Sequence, residues 1–269
     1  MNLVRVERAD GVARVVLCRV GMHNALVPEL LDELLSALAQ LRDDAQCRAV
    51  VLAAEGAAFS IGGDMRRFQR ERKDAASLRA YASLLVGRLN QAVLALIDLP
   101  QPVVAAVHGI VTGGAIGLVL AADLVYVAPE VVFKAHYATA GFGPDGGWTA
   151  LAGRLAGVHR AGAALLLNRS IRAEEAVAWG LANEVVAAAD LQQAAAAAAR
   201  RVAGYPAGTM RAAKRLLWGE RARLAADLDS EHRQFLELIT QPAAIEGVDA
   251  FLRDYRNYPD DSSPADSGN

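Results

Sequence analysis

Two short stretches decide how this chain folds: Phe59-Ser60-Ile61-Gly62-Gly63-Asp64 and His108-Gly109-Ile110-Val111-Thr112-Gly113-Gly114-Ala115-Ile116-Gly117. Each follows an apolar run typical of a buried strand, over residues 48–54 and 102–107, and each leads into helix-like sequence. Backbone N–H groups at such turns can converge on one oxygen atom. The pair therefore predicts an oxyanion hole, although glycine is also the default residue of any tight strand-to-helix turn.

The composition is that of a protein with a full hydrophobic core. The chain has 269 residues, 54% hydrophobic and 22% charged, so we expect one large domain or one domain with a helical appendage. A net charge of -2 gives no general attraction for nucleic acid or membranes, and neither is an expected partner. Cys18 and Cys47 indicate neither a disulfide framework nor a metal site. With no signal-like N-terminus, we expect a cytoplasmic location.

The order of predicted elements is that of an α/β protein. Predicted strands cover residues 3–7, 12–18, 48–54, 102–107 and 124–127. Helices are predicted after Pro28, over residues 77–97 and after Gly113. Parallel strands joined by crossover helices are the economical arrangement of this alternation. From about residue 146 onward we expect helices almost throughout, with a single further strand at residues 184–186.

Beyond the two turns, five further segments resemble the enoyl-CoA hydratase/isomerase, or crotonase, superfamily. They cover residues 23–26, 121–123, 141–147, 178–182 and 246–252, and the whole resemblance spans roughly residues 3–258. It implies an α/β fold in which residues 1–204 form a crotonase-like spiral of ββα units and residues 205–258 a helical C-terminal trimerisation region. Residues 259–269, rich in Asp, Ser and Pro, are expected to be a disordered tail.

The resemblance also implies a substrate, an acyl-CoA thioester whose carbonyl oxygen lies between the amides of Gly63 and Gly114. Coenzyme A would be part of this substrate, and no permanently bound cofactor is expected. Removal of an α-proton places negative charge on that oxygen, and losing one such donor costs roughly 10²–10³ in rate. The implied assembly is a homotrimer or a dimer of trimers.

Two positions depart from the hydratase pattern of this family. The chain has Gly117 and Tyr137 where hydratases carry glutamates, so concerted hydration is doubtful. Asp145 is the nearest carboxylate that the motif offers, and we expect it to be catalytic, with Tyr137 beside it. In isomerase-like relatives an acid here moves a proton between the α- and γ-carbons. In the 4-chlorobenzoyl-CoA dehalogenase branch an aspartate here is a nucleophile, but the histidine base of that branch is replaced by Asn90.

Alternatives stay open for several of these residues. Asp145 precedes Gly146 and Gly147 and could serve only as a helix N-cap. His108 and His136 are candidate proton carriers, although lone histidines beside apolar strands more often pack or hydrogen-bond.

The resemblance further assigns a set of residues to coenzyme A. The assigned residues are Ala25, Leu26, Ile61, Gly62, Asp64, Arg66 and, from the last helix, Phe251. Arg66 would meet the nucleotide phosphates, and Phe251 would reach a ligand from a neighbouring subunit. For Asp64 the alternative is that it holds the turn, and for Arg66 that it belongs to a solvated basic face.

Three functions from different classes follow. The first is an enoyl-CoA isomerase-type proton transfer through Asp145, with hydratase-like lyase or aryl-CoA dehalogenase or hydrolase activity as alternatives. The second is a non-catalytic acyl-CoA binder, since both hydratase glutamates are absent. The third is a Rossmann-type nucleotide binder, because Gly114 and Gly117 partly match its glycine fingerprint, but Thr112 occupies the first glycine position.

Overall fold

An N-terminal hairpin begins the main sheet. We describe residues 2–255 in a computed structural model; the predicted tail lies outside the described residues. Strands β1 (Val4–Ala9) and β2 (Val12–Leu17) pair antiparallel around Asp10 and Gly11. These two residues have positive φ values of 51° and 77°, which suits a two-residue hairpin turn. The predicted hairpin is therefore confirmed.

The main sheet has six strands in the order β1-β2-β3-β4-β6-β9. Its further members are β3 (Ala49–Ala54), β4 (Val103–Val107), β6 (Leu124–Val127) and β9 (Glu184–Val185), and all pairs beyond the hairpin are parallel. Every residue of β3 and β4 is buried. Strands covered on both faces carry continuous apolar runs, so the α/β order was predictable and is confirmed.

A second sheet of three short strands was not predicted. β5 (Ile110–Thr112) lies inside the second glycine-bearing turn, and it pairs in parallel with β7 (Val132–Lys134). β8 (Ser170–Arg172) pairs antiparallel with β7. The expectation of a single strand after residue 146 is therefore wrong. Three residues are too few to show a period of two, and pairing with distant segments decides their conformation.

Helices surround these sheets. They are α1 (Pro28–Arg42), α2 (Met65–Glu71), α3 (Ala75–Asp98), α4 (Ala115–Leu120), α5 (Tyr137–Ala140), α6 (Gly153–Ala156), α7 (Val158–Leu166), α8 (Ala173–Ala178), α9 (Leu191–Ala203), α10 (Ala207–Trp218), α11 (Arg221–Leu238) and α12 (Pro242–Tyr255). A π-helical turn at Trp148–Ala152 precedes α6. Pro28 occupies the first turn of α1, where its missing N–H has no helical partner to lose.

Helix α3 is the longest helix in the described part of the chain. It is long and apolar enough to cross a membrane by length and composition alone, but its most apolar window is 56% buried inside the protein. It packs against α1 on one side and α11 on another. A core helix gives the same sequence signal as a membrane span.

The C-terminal helices pack back onto the strand-rich part of the chain. In α10, the buried Lys214 donates to the carbonyl oxygens of Leu96 and Gln101 and pairs with Asp123 at 2.9 Å. Helix α11 contacts α3, and α12 contacts α2 and α5. Helices α11 and α12 therefore reach the loops around the two glycine-bearing turns.

Candidate active site

The two glycine-bearing turns lie side by side. Ser60 and Val111 form an isolated parallel bridge, in which the Ser60 N–H donates to Ile110 and the Thr112 N–H donates to the Ser60 carbonyl. Gly62 has a φ of 76°, and a Cβ there would lie 2.8 Å from the carbonyl oxygen of Thr112. Glycine is required at this position for its left-handed backbone and for the close approach of the second turn.

The amides of Gly63 and Gly114 have no internal acceptor among the hydrogen bonds of the described residues. Leu26 bridges to Gly63, but this bridge uses the Gly62 carbonyl and the Asp64 N–H on either side. Gly114 is the N-cap of α4, and amides at a helix start lack helical partners. Both glycines line one cavity of about 570 Å³. Two N–H groups are thus available to a ligand oxygen there.

Apolar side chains pack directly against both glycines. A Cβ on Gly63 would lie 3.0 Å from Cε2 of Phe68 and 3.6 Å from Cδ2 of Leu85. A Cβ on Gly114 would collide with Cδ2 of Leu89. Helices α2 and α3 supply these side chains, so they form an apolar wall beside the two amides.

Aromatic rings extend this wall. Phe68 lies 5.8 Å from Phe142 between ring centroids, and Phe142 lies 5.3 Å from Phe235 of α11. All three line the same cavity. A ligand group next to the amides would therefore meet an apolar, aromatic surface.

The carboxylate of Asp145 lies against Gly114. A Cβ on Gly114 would be 2.9 Å from Oδ1 and 3.2 Å from Oδ2 of Asp145. The Tyr137 hydroxyl donates to Oδ1 at 2.7 Å and lies 3.0 Å from the Asp145 carbonyl oxygen. Asp145 is 8% exposed and lines the cavity with Gly63, Gly114 and Tyr137. The four residues expected to be catalytic therefore come together at one place.

Burial raises the pKa of Asp145 to about 7, and the nearby charge of Glu231 acts in the same direction. The hydrogen bond from Tyr137 opposes both effects. Burial also raises the pKa of Tyr137 well above its usual value, so this residue is a neutral hydrogen-bond donor. A carboxyl group with a pKa near 7 can both take up and release a proton at neutral pH.

Backbone fills the place of the missing glutamate at position 117. A Cβ on Gly117 would overlap the carbonyl oxygen of Gly146 and lie 3.3 Å from Cγ2 of Val93. Gly146 has a φ of 62°, and a Cβ on it would lie 2.6 Å from the Gly114 carbonyl oxygen. The loop that carries Asp145 thus occupies the space that a side chain at position 117 would need.

The residues assigned to coenzyme A divide into three groups. Leu26, Ile61, Gly62 and Phe251 line the cavity. Arg66 is exposed on α2, outside the cavity lining.

Asp64 and Ala25 instead hold the first turn in place. The Asp64 carboxylate pairs with Arg19 at 2.7 Å and accepts the Arg67 N–H as the N-cap of α2. Arg19 also donates to the Ala25 carbonyl at 2.8 Å, and the Ala25 side chain is buried. The Asp64 carboxylate is therefore engaged within this turn, and the assignment of Asp64 to coenzyme A stays a prediction.

The structure also decides the alternatives for single residues. Asp145 makes no side-chain cap: Gly147 is the N-cap of the π-helical turn, so the N-cap alternative is wrong. Asn90 donates to the Leu228 carbonyl at 3.1 Å and is buried against α11. Burial lowers the pKa of His136 to about 4, which leaves its ring neutral, and His108 hydrogen-bonds to the Gly56 carbonyl.

Glu231 of α11 is a residue that sequence reasoning missed. Its carboxylate is buried, at 4% exposure, and accepts four hydrogen bonds from the segment that follows Asp145. In the sequence it is one of several acidic residues of an amphipathic helix, with no signal that separates it from the exposed ones. Only the fold brings it to the Asp145 loop.

The chain is similar to known proteins in sequence and in structure. The enoyl-CoA hydratase/isomerase family model matches residues 7–258. The chain is 34% identical over 252 residues to a probable enoyl-CoA hydratase of Rhodobacter capsulatus, covering 93% of this chain and 95% of that protein. It is 33% identical over 203 residues to 4-chlorobenzoyl coenzyme A dehalogenase-2 of Arthrobacter, covering 76% of this chain and 73% of that protein.

Solved structures agree on the fold. The enoyl-CoA hydratase of Bacillus halodurans superposes with a TM-score of 0.86 over 92% of this chain and 99% of that chain, at 23% identity. The family match spans nearly the whole chain, and the two glycine-bearing turns lie side by side. This α/β chain therefore belongs to the enoyl-CoA hydratase/isomerase superfamily and has the crotonase fold.

Proposed function

We propose that this protein is an acyl-CoA isomerase-type enzyme that moves a proton along an apolar enoyl-CoA thioester, with Asp145 as the acid and base. One observation carries the proposal: a buried carboxylate with a pKa near 7 lies against Gly114, at one of two free amides. A group that must both accept and return a proton works best when its pKa is close to the working pH.

The step follows from this geometry. The amides of Gly63 and Gly114 donate to the thioester carbonyl oxygen. Asp145 takes a proton from the α-carbon of a 3-enoyl thioester, and the resulting enolate places its negative charge on that oxygen. The same proton then returns to the γ-carbon while the double bond moves into conjugation with the carbonyl. One carboxylate suffices, and no other reactant is consumed.

Tyr137 has a supporting role in this mechanism. Its hydroxyl holds Oδ1 of Asp145, while Oδ2 has no partner among the described hydrogen bonds. We therefore assign the transferred proton to Oδ2. Because the phenol stays neutral, it orients the carboxylate without competing for the proton.

Hydration is a weaker proposal for this site. It needs a second carboxylate to hold and activate water, and Gly117 and Tyr137 supply none. The Gly146 carbonyl also fills the space beside Gly117, so the missing glutamate has no room.

An aryl-CoA dehalogenase or hydrolase activity is the second candidate. The aromatic wall of Phe68, Phe142 and Phe235 favours it, as does the 33% identity to the Arthrobacter dehalogenase. Two features count against it. Asn90 stands where that branch has its base and is turned to α11, and a carboxyl group with a pKa near 7 is a poor resting nucleophile.

The substrate and assembly complete the proposal. Coenzyme A is bound as part of the substrate along Leu26, Ile61 and Gly62, with Arg66 toward the phosphates.

We propose a cytoplasmic homotrimer or dimer of trimers. Exposed leucines that an oligomer would cover support this, with exposures of 78% and 71% at Leu166 and Leu167 and of 78% and 76% at Leu216 and Leu217. Light scattering after size-exclusion chromatography measures the mass.

A panel of thioesters tests the function. Purified protein is incubated with 2-enoyl-, 3-enoyl- and aryl-CoA esters, and products are followed by mass spectrometry and by absorbance of the conjugated thioester. We expect 3-enoyl to 2-enoyl conversion that is lost in Asp145→Asn and kept in Asp229→Asn, which changes an exposed carboxylate on α11. Full turnover in Asp145→Asn would remove Asp145 from its role. Tight binding without turnover across the panel would instead identify a non-catalytic binder.

A further inference from the structure

Glu231 holds the loop that carries Asp145. Its Oε2 accepts the Gly147 N–H at 2.7 Å, and its Oε1 accepts the Thr149 N–H at 2.6 Å, the Thr149 hydroxyl at 2.5 Å and the Ala150 N–H at 3.0 Å. Four donors from one short segment thus converge on one buried carboxylate. Glu231 forms no ion pair within residues 2–255. The N–H and O–H dipoles at the start of the π-helical turn therefore stabilise the carboxylate in place of a counter-ion.

The held segment is close to the reacting carboxylate along the chain. Gly147 is two residues from Asp145, and both Gly146 and Gly147 have positive φ, at 62° and 98°. Glycines impose little conformational restriction of their own. On one side Gly146 packs against Gly114 and Gly117, and on the other side Glu231 fixes the amide of Gly147. The position of Asp145 therefore depends on Glu231.

The charge of Glu231 also acts on Asp145. The titratable groups that face Asp145 are Tyr137 from α5 and Glu231 from α11. Because Tyr137 is neutral, Glu231 is the charged one of these two groups. A negative charge near Asp145 favours the protonated form of the Asp145 carboxyl group. Burial raises the pKa of Glu231 above its usual value, and its four hydrogen-bond donors oppose this rise because they favour the ionised form.

Glu231 also borders a second cavity of about 840 Å³, on the other side of the loop. The charged groups that line this cavity with it are Arg154, Glu220, Arg223 and Asp227. Arg154 is engaged with the carbonyl oxygens of Leu217 and Trp218. Asp227 lies one turn before Glu231 on α11 and is exposed, which makes it a matched control.

We propose that Glu231 is the positioning residue of this site: it fixes the loop that presents Asp145 to the substrate, and its buried charge on that loop acts on the Asp145 carboxyl group. This deepens the proposed function, because it concerns the same carboxylate. It is tested in a way that does not depend on turnover.

The test combines a titration with kinetics. The Asp145 carboxyl is titrated by ¹³C NMR in the unliganded protein and assigned with Asp145→Asn. In Glu231→Gln, which keeps the size and removes the charge, we expect the Asp145 midpoint to fall by about one unit, since burial remains. We also expect kcat to fall about tenfold or more with a smaller change in KM, because the loop relaxes. Asp227→Asn should leave both unchanged.

A second variant guards against misfolding. Glu231→Asp keeps the charge but shortens the reach, so it should retain the midpoint while lowering kcat. An unchanged Asp145 midpoint in folded Glu231→Gln overturns the proposal, whatever the activity. If Glu231→Gln does not fold, a kcat unchanged from wild type in folded Glu231→Asp overturns it instead, because the shortened side chain should no longer hold the loop. A shifted midpoint in a protein without turnover would refute the proposed function and leave this inference standing.

Discussion

Replacement of Asp145 by asparagine should make the protein more stable at alkaline pH while removing its activity. The pKa of Asp145 rises from an ordinary 3.8 to about 7 in the folded protein, mainly through burial. The folded state therefore binds the proton more tightly than the unfolded chain. Below about pH 4 Asp145 is protonated in both states, so its burial in the charged form does not lower the free energy of unfolding.

The cost appears as the pH rises. Between about pH 4 and pH 7 the unfolded chain ionises while the folded protein must keep the proton, so stability falls with pH, and above pH 7 the loss is complete. A shift of about 3 units at 1.36 kcal/mol each corresponds to about 4 kcal/mol. This is an upper figure, because relaxation of the site around a charge reduces it. Asparagine avoids the cost because it does not ionise.

Urea unfolding at pH 5 and pH 8, at one fixed protein concentration, measures the effect. Other titrating groups are common to both proteins and cancel in the difference between Asp145→Asn and wild type. We expect the free energy of unfolding of Asp145→Asn, minus that of wild type, to rise by a few kcal/mol between pH 5 and pH 8. Asp227→Asn, which changes an exposed carboxylate on α11, is the matched control and should leave the stability close to that of wild type at both pH values. A difference for Asp145→Asn that stays constant with pH would refute the reasoning.

Three further predictions concern the same site. Gly114→Ala should lower kcat by roughly 10² or more, because its methyl group would meet both Asp145 and Leu89; steady-state kinetics measures this. Gly117→Glu should yield no hydratase activity and a less stable protein, since its Cβ overlaps the Gly146 carbonyl; product analysis and thermal unfolding decide, and a gain of hydration would contradict it. Tyr137→Phe removes a hydrogen bond that lowers the pKa of Asp145, so the pH at which proton abstraction becomes half-maximal should rise; a pH–rate profile unchanged from wild type would contradict this.

The sequence was a good guide to the main sheet and a poor one to the short strands. The strands β3 and β4 are buried on both faces, which leaves an apolar run that reads directly as a strand. The strands β5, β7 and β8 have three residues each, and only their pairing with one another defines them. The local sequence pattern does not indicate which distant segments pair.

For the site, too, the sequence predicts the residues of the motif but not the contacts between distant segments. Resemblance to a family motif predicts four site residues, Gly63, Gly114, Tyr137 and Asp145, and all four line one cavity. Their chemical roles stay predictions. Asp64 was assigned to the ligand because it lies in the motif, but its neighbour Arg19 comes from 45 residues away and engages it. Glu231 was missed because its partners Gly147 and Thr149 are 84 and 82 residues distant.

Exchange of an α-proton tests most directly whether the two amides and Asp145 create an enolate. A saturated acyl-CoA that cannot isomerise is incubated with the protein in D₂O, and deuterium at the α-carbon is followed by NMR and mass spectrometry. We predict exchange in the wild type, and its loss in Asp145→Asn under conditions where that variant still binds the thioester. Equal exchange in both proteins, or none in a wild type that binds the thioester tightly, would contradict the account.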